Sequence, residues 1–100
     1  MARETNSYKI VNTAGRSRGD DSGSFVLSEG ATKRGHLSYT LPDAKTMNID
    51  YVEVDPALRG QGVGKQLVDA AVEWAEANGR RVVPLCSYAR AVLSRAKSRA

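Results

Sequence analysis

The chain is poor in the residues that build metal centres and disulfide frameworks. One cysteine, Cys86, and one histidine, His36, stand among 100 residues. An internal disulfide is excluded, and a four-ligand structural zinc site is nearly so. Long hydrophobic runs are missing too. The longest, Val82-Val83-Pro84-Leu85-Cys86, has five residues, far short of the ~20 that a membrane span needs. The first residues, Met-Ala-Arg-Glu-Thr-Asn, put no apolar stretch behind their charges, so no secretory signal is expected. No Asn-x-Ser/Thr sequon occurs. With the lone thiol, these absences lead us to expect a cytoplasmic protein with no membrane partner. What is present is ordinary. Hydrophobic residues at 41% and charged residues at 26% suit one folded domain rather than a disordered chain.

Acidic residues are scarce in one place. Residues 1–50 hold seven basic and six acidic side chains, and residues 51–100 hold eight and five, giving the net +4. Residues 80–100 carry Arg80, Arg81, Arg90, Arg95, Lys97 and Arg99 and no acid. Such a segment attracts anions. It is either a solvated basic face or a contact for nucleic acid or a phosphorylated cofactor. Nucleic acid is the weaker reading, because Tyr88 is the only aromatic there and base stacking needs more.

Three zones follow along the chain. Residues 1–23 are rich in Gly, Ser, Arg and Asp and read as a flexible N-terminal tail, dispensable for ligand binding, with room for a short strand over Tyr8–Val11. Residues 24–54 read as an antiparallel meander. Leu37, Tyr39 and Leu41 alternate with His36, Ser38 and Thr40. In the next strand Met47, Ile49 and Tyr51 take one face, and Asn48, Asp50, Val52 and Val54 the other. The period then changes: Val63, Leu67, Ala70, Ala71 and Trp74 recur at helical spacing, and Asn78-Gly79 stops that helix. Arg81–Leu85 reads as a short buried strand, and Ser87 as the cap of a last helix reaching about Lys97. His36 reads as a surface residue and Trp74 as core.

The chemistry concentrates between the third strand and the long helix, in Asp55-Pro56-Ala57-Leu58-Arg59-Gly60-Gln61-Gly62-Val63-Gly64-Lys65. Alternate glycines lay bare backbone at a helix N-terminus, where unpaired N–H groups and the helix dipole favour an anion. Arg59 and Lys65 flank it with side-chain charge, and a diphosphate is the natural guest. A P-loop is excluded: its first glycine would fall at Arg59, and Gln66 follows Lys65 where Ser or Thr is required. The dinucleotide fingerprint fails at Lys65, where it needs glycine.

Arg59-Gly60-Gln61-Gly62-Val63-Gly64 resembles the Arg/Gln-x-x-Gly-x-Gly/Ala signature of the GNAT acyl-CoA N-acyltransferase superfamily. Val82-Val83-Pro84-Leu85-Cys86-Ser87-Tyr88 is similar to the Pro-x-Cys-x-aromatic segment of its short, single-domain group. The resemblance covers about residues 24–93. It implies a minimal GNAT fold of the α+β class: a mixed, mostly antiparallel sheet of about four strands with two helices, in the order β-β-β-α-β-α, with residues 24–100 as the acetyl-CoA-binding domain. It implies that the strands before and after the long helix splay apart, which suits Pro84, since proline cannot donate to a ladder. It also implies a small N-acetyltransferase that uses acetyl-CoA as cosubstrate, with an unidentified amine as acceptor and no metal. The diphosphate would lie on Gln61, Gly62, Val63, Gly64 and Lys65, with Arg59 and Gly60 leading in. Pantetheine amides would pair with Val52, Glu53 and Val54.

Direct attack of an amine on a thioester needs a base, oxyanion donors and an acid for the thiolate. Glu53 is the candidate base and Tyr88 the candidate acid. Cys86 is expected at the acetyl end as acid, thiolate or transient acyl carrier, or else as a small buried hydrophobe. The elements that form the acceptor groove in full-length relatives have no counterpart in this pattern, so monomer and homodimer are both open. A non-catalytic acyl-CoA-binding or sensing module and a basic nucleic-acid-binding domain are the competing classes.

Overall fold

The computed structural model describes residues 8–14 and 22–99. Residues 1–7 and 15–21, which hold most of the N-terminal segment read above as a flexible tail, lie outside the described residues. Strands β1 (Tyr8–Ala14), β2 (Ser22–Glu29), β3 (Thr32–Asp43) and β4 (Thr46–Val54) come first. A 3₁₀ turn, Pro56–Leu58, leads to α1 (Val63–Ala77), β5 (Arg81–Pro84) and α2 (Ser87–Arg99). The five strands form one sheet in the order β1-β2-β3-β4-β5. All pairings are antiparallel except β4–β5, which is parallel. That pair must be joined by a crossover, and α1 supplies it. No helix among the described residues is long and apolar enough to cross a membrane.

One layer of helices covers one face of the sheet. Leu27, Leu37, Met47 and Ile49 from the strands meet Val63, Leu67, Val68, Ala71 and Ala75 of α1 and Ala89 and Val92 of α2 in a single buried cluster. Each fully buried large aliphatic side chain contributes about 1.5–3 kcal/mol. The β2–β3 turn runs through Gly30 at φ +61, and α1 ends in Asn78 followed by Gly79 at φ +69.

The strand left open at Tyr8–Val11 is real and longer. β1 is in register with β2 over its whole length, from Tyr8 opposite Glu29 to Ala14 opposite Gly23. Tyr8 and Ile10 pack against the core, and Asn12 Oδ1 accepts the Tyr39 hydroxyl at 2.8 Å. Burial pushes the Tyr39 hydroxyl's pKa up, against the opposing pull of Asn12 and Arg80. Removing residues 1–14 is therefore expected to lower the melting temperature by about 10 °C or more, on the scale of ~2 kcal/mol. β1 is the sheet edge farthest from β5, so ligand affinity should stay within about twofold. An unchanged melting temperature in that truncation would show that β1 adds nothing.

Alternation in β4 departs from the expected pattern. Ser38 pairs with Tyr51 and Tyr39 with Ile49, so Asp50 is an extra residue. This β-bulge reverses the facing of everything after it. Val52 and Val54 face Leu37 and Gly35 on the core side. Tyr51 leaves the face of Met47 and Ile49 and is 48% exposed. Thr40 Oγ1 holds the bulge by donating to Asp50 Oδ2 at 2.5 Å.

Candidate functional site

β4 and β5 pair from Thr46 opposite Arg81 to Ile49 opposite Pro84. The Leu85 N–H still reaches Ile49 O at 3.0 Å. There the ladder stops, and not for want of the Pro84 donor: the bonds from β5 to β4 come from Arg81 and Leu85, so the Pro84 nitrogen lies on the other side and α2 begins two residues past the last bond. From Asp50 to Val54 the β4 edge on that side has no strand partner among the described residues, and this is the expected splay. Cys86 is the first residue past the last rung.

The space beside the free edge is a cavity of about 510 Å³, lined by Val52, Glu53 and Val54 of β4, Tyr88 of α2, and residues from Pro56 to Gly64. Asp55 sets the entry to this loop. Its carboxylate accepts the Ala57 N–H at 2.9 Å and the Arg34 Nε–H at 2.9 Å. Those bonds hold its carboxyl below the usual carboxylate range, the Ala57 N–H being the larger cause. Arg34 also pairs with Glu29, so one guanidinium ties the β2–β3 end to the turn. Pro56 then starts the 3₁₀ turn and Leu58 anchors it in the core.

Gly60 at φ +80 and Gly62 at φ +78 are left-handed, a conformation that L side chains rarely adopt. Gly62 caps α1, and no side chain completes the cap. The first helical bond runs from Gln66 N–H to Gly62 O at 3.1 Å. The N–H groups of Val63, Gly64 and Lys65 precede it and have no intrahelical acceptor. Gly64 is needed for a different reason. A Cβ there would fall 2.7 Å from Tyr88 Cζ and 2.8 Å from Cε2. The bare glycine lets the Tyr88 ring lie on the first turn of α1, with its hydroxyl at the cavity wall.

Residues 24–100 match the family model of the GCN5-related N-acetyltransferases. The chain belongs to that family. An uncharacterized N-acetyltransferase of Methanocaldococcus jannaschii is 31% identical over 72 residues, covering 66% of this chain and 32% of that protein. This GCN5-related chain thus spans about a third of the length of the curated relative it matches. An IAA acetyltransferase from Bacillus cereus superposes with a TM-score of 0.64 at 21% identity, over 77% of this chain and 64% of that one. A GNAT family acetyltransferase from Elizabethkingia anophelis with acetyl-CoA bound gives 0.66 at 14% identity, over 79% and 65%. At those identities the solved structures speak for the fold: an α+β sheet that opens between β4 and β5.

Within this GCN5-related fold, most of the residues singled out in the sequence come together. Val52, Glu53, Val54, Arg59, Gly60, Gly62, Val63, Gly64 and Tyr88 all line the cavity. Gln61, Lys65 and Cys86 are not among its lining residues. The Gln61 side chain is exposed and lies 3.5 Å from Ala57 O. The Lys65 ammonium pairs with Asp69 at 2.8 Å, one helical turn along. Cys86 is half-buried and packs against the core. Sequence reasoning missed Pro56 and Leu58 as walls; the Asp-Pro start of a helical turn was the signal for them.

Proposed function

We propose that the chain is an N-acetyltransferase that moves an acetyl group from acetyl-CoA to an amine. The observation that carries this reading is the free β4 edge facing a glycine-built helix N-terminus across one cavity. A diphosphate and an amide-containing arm are the two halves of one ligand that those surfaces suit. The N–H groups of Gly62 to Lys65 would hold the diphosphate, with Arg59 beside them. The backbone of Val52 to Val54 would pair with pantetheine amides, as an added strand pairs with a sheet edge. From Asp50 to Val54 that edge offers about 16 Å of strand, enough for an extended pantetheine arm. Its acyl end would then reach the apex of the splay, where Cys86 follows the last rung.

Acetyl-CoA would supply an activated thioester; the protein supplies position and proton traffic. Glu53 brings a carboxylate to the path of the incoming amine. Tyr88 and Cys86 are the candidate donors to the departing thiolate. The deciding experiment follows CoA release from acetyl-CoA with polyamines, lysine peptides and aminoglycosides, alongside CoA calorimetry. CoA binding together with amine-dependent thiol release is the expected result. Binding with no release for any amine would make this a sensing module. Loss of binding only in competition with nucleic acid, with a steep salt dependence, would point to the basic C-terminal segment instead.

A further inference from the structure

The two edges of the sheet are built differently. At one edge, β5 has four residues. Its Arg81 and Leu85 donate to β4, so Val82 and Pro84 turn their backbone outward, and Pro84 brings no N–H to that side. A short strand blunted by proline resists pairing with another chain. At the other edge, β1 has seven residues, no proline and one charge, Lys9. Its register with β2 is unbroken, and its outer side has no strand partner among the described residues. Shortness, proline and a bulge, three devices that protect an edge strand, are all absent from β1 itself.

The pleat decides which groups β1 offers. The Asp55 N–H donates to Arg34 O at 2.8 Å, so Arg34 turns its backbone to β4, and Gly35 and Leu37 turn theirs to β2. Their partners Leu27 and Phe25 face back. Val26 and Ser24 are left to face β1, and Val11 and Thr13 opposite them face β2. The Thr13 hydroxyl, donating to Ser24 O at 3.2 Å, agrees with this. Tyr8, Ile10, Asn12 and Ala14 then direct their N–H and C=O groups outward. On the open face, Val11 continues a row with Val26 and the partly sheltered His36, and it is 49% exposed. The other large exposed hydrophobics among the described residues, Tyr51, Leu85 and Tyr88, belong to the splay. Val11 is four strand spacings away, about 19 Å.

We propose that β1 pairs antiparallel with β1 of a second copy of this chain, about a two-fold axis at Val11. The strand is complementary to itself in that register. Ile10 faces Asn12 of the second copy and Tyr8 faces Ala14, and all four outward backbone groups are exchanged as hydrogen-bonded pairs. Val11 meets its own counterpart at the closely spaced, non-hydrogen-bonded position, so the Val26–Val11 row runs on across the junction. Lys9 faces Thr13, and the strand's one charge does not meet itself. An axis at Lys9 would set two ammonium groups face to face. The axis at Val11 stands normal to the sheet, so both helix layers lie on one side. Two five-stranded sheets become one, with the two splays at its outer ends and unobstructed. The pairing is independent of the acetyl-transfer reading. Paired strands of about 23 Å bury less than the ~1,600 Å² of a standard interface, so the dimer is expected to dissociate in the micromolar range.

Sedimentation equilibrium of the full chain, from micromolar to submillimolar concentration, is expected to rise from the mass of one chain toward that of two. Val11→Lys changes a half-exposed side chain, and should keep the melting temperature of the dilute wild type. It should weaken association about tenfold or more, because two like charges then oppose each other at the axis. Val11→Cys should oxidise to a dimer whose disulfide maps by mass spectrometry to the two copies of residue 11. Thr13→Cys, which faces residue 9 of the second copy, should not link to itself. This cysteine pair decides the register even where the lysine variant fails to fold. A chain that keeps the mass of one copy throughout, a folded Val11→Lys variant that associates as the wild type does, or a disulfide that forms as readily at 13 as at 11, overturns the proposal.

Discussion

Gly62→Val is expected to weaken CoA binding by at least tenfold, on the order of 1.4 kcal/mol or more. Two effects combine. Gly62 holds φ +78 as the cap of α1. A β-branched side chain there costs about 1–2 kcal/mol or forces the backbone elsewhere, and the N–H groups of Val63, Gly64 and Lys65 move with it. The space around a Cβ at this position is open: apart from the adjoining chain, no atom of the described residues lies within 4 Å. A valine therefore projects where only solvent or a bound anion stands. Gly79→Val is the control. Gly79 has φ +69 and equally open surroundings, but it closes the other end of α1. It should lose comparable stability and keep its affinity. Calorimetry on both folded variants separates anion binding from backbone strain. A folded Gly62→Val protein with wild-type CoA affinity would remove the diphosphate from this turn.

Cys86→Ala is expected to lower the rate of acetyl transfer by about ten- to a hundredfold while CoA affinity changes by less than threefold. A loss confined to kcat marks an interaction made only in the transition state. Cys86 follows Leu85, whose N–H makes the last bond to β4, so it stands at the closed end of the splay. Saturating CoA should also protect the thiol from alkylation. Because Cys86 packs against the core, the substitution also removes some packing, and rates belong on a per-folded-molecule basis. Cys86→Ser separates roles: a hydroxyl still donates a hydrogen bond but is a poor nucleophile unaided. Full activity in Cys86→Ala, with labelling that CoA does not slow, returns this residue to packing.

What the sequence told in advance follows where the physics is local. The strand-to-helix switch at Asp55–Gly62 and the stop at Asn78-Gly79 rest on glycine and proline stereochemistry, which a sequence states outright. The glycine loop could therefore be read as an anion site, whereas the β4 edge and Tyr88 were joined to it through the family resemblance. The bulge at Asp50 left no such mark. Thr46–Val54 alternates acceptably in either register, and the choice is made by packing: Val52 and Val54 reach the core side against Leu37 and Gly35 only if one residue is skipped. For the same reason the facing of Tyr51, and the meeting of its hydroxyl with His36 Nε2 at 3.3 Å, was hidden. β1 was hidden differently. Tyr8 and Ile10 are sparse anchors by themselves and become a strand because Asn12 and the β2 edge complete them.

The aromatic corner at the far end of α1 has an optical consequence. Trp74, the chain's only tryptophan, lies 5.7 Å from Tyr39 and 6.4 Å from Phe25, centroid to centroid. Tyr39 is in turn bonded to β1 through Asn12. Ten residues of helix, about 15 Å, separate the indole from Gly64. Its emission therefore reports the docking of β1 and α1 on the sheet at a distance from the glycine turn. A ligand at the glycine turn then changes fluorescence-detected unfolding through the stability of the folded state, as mass action requires.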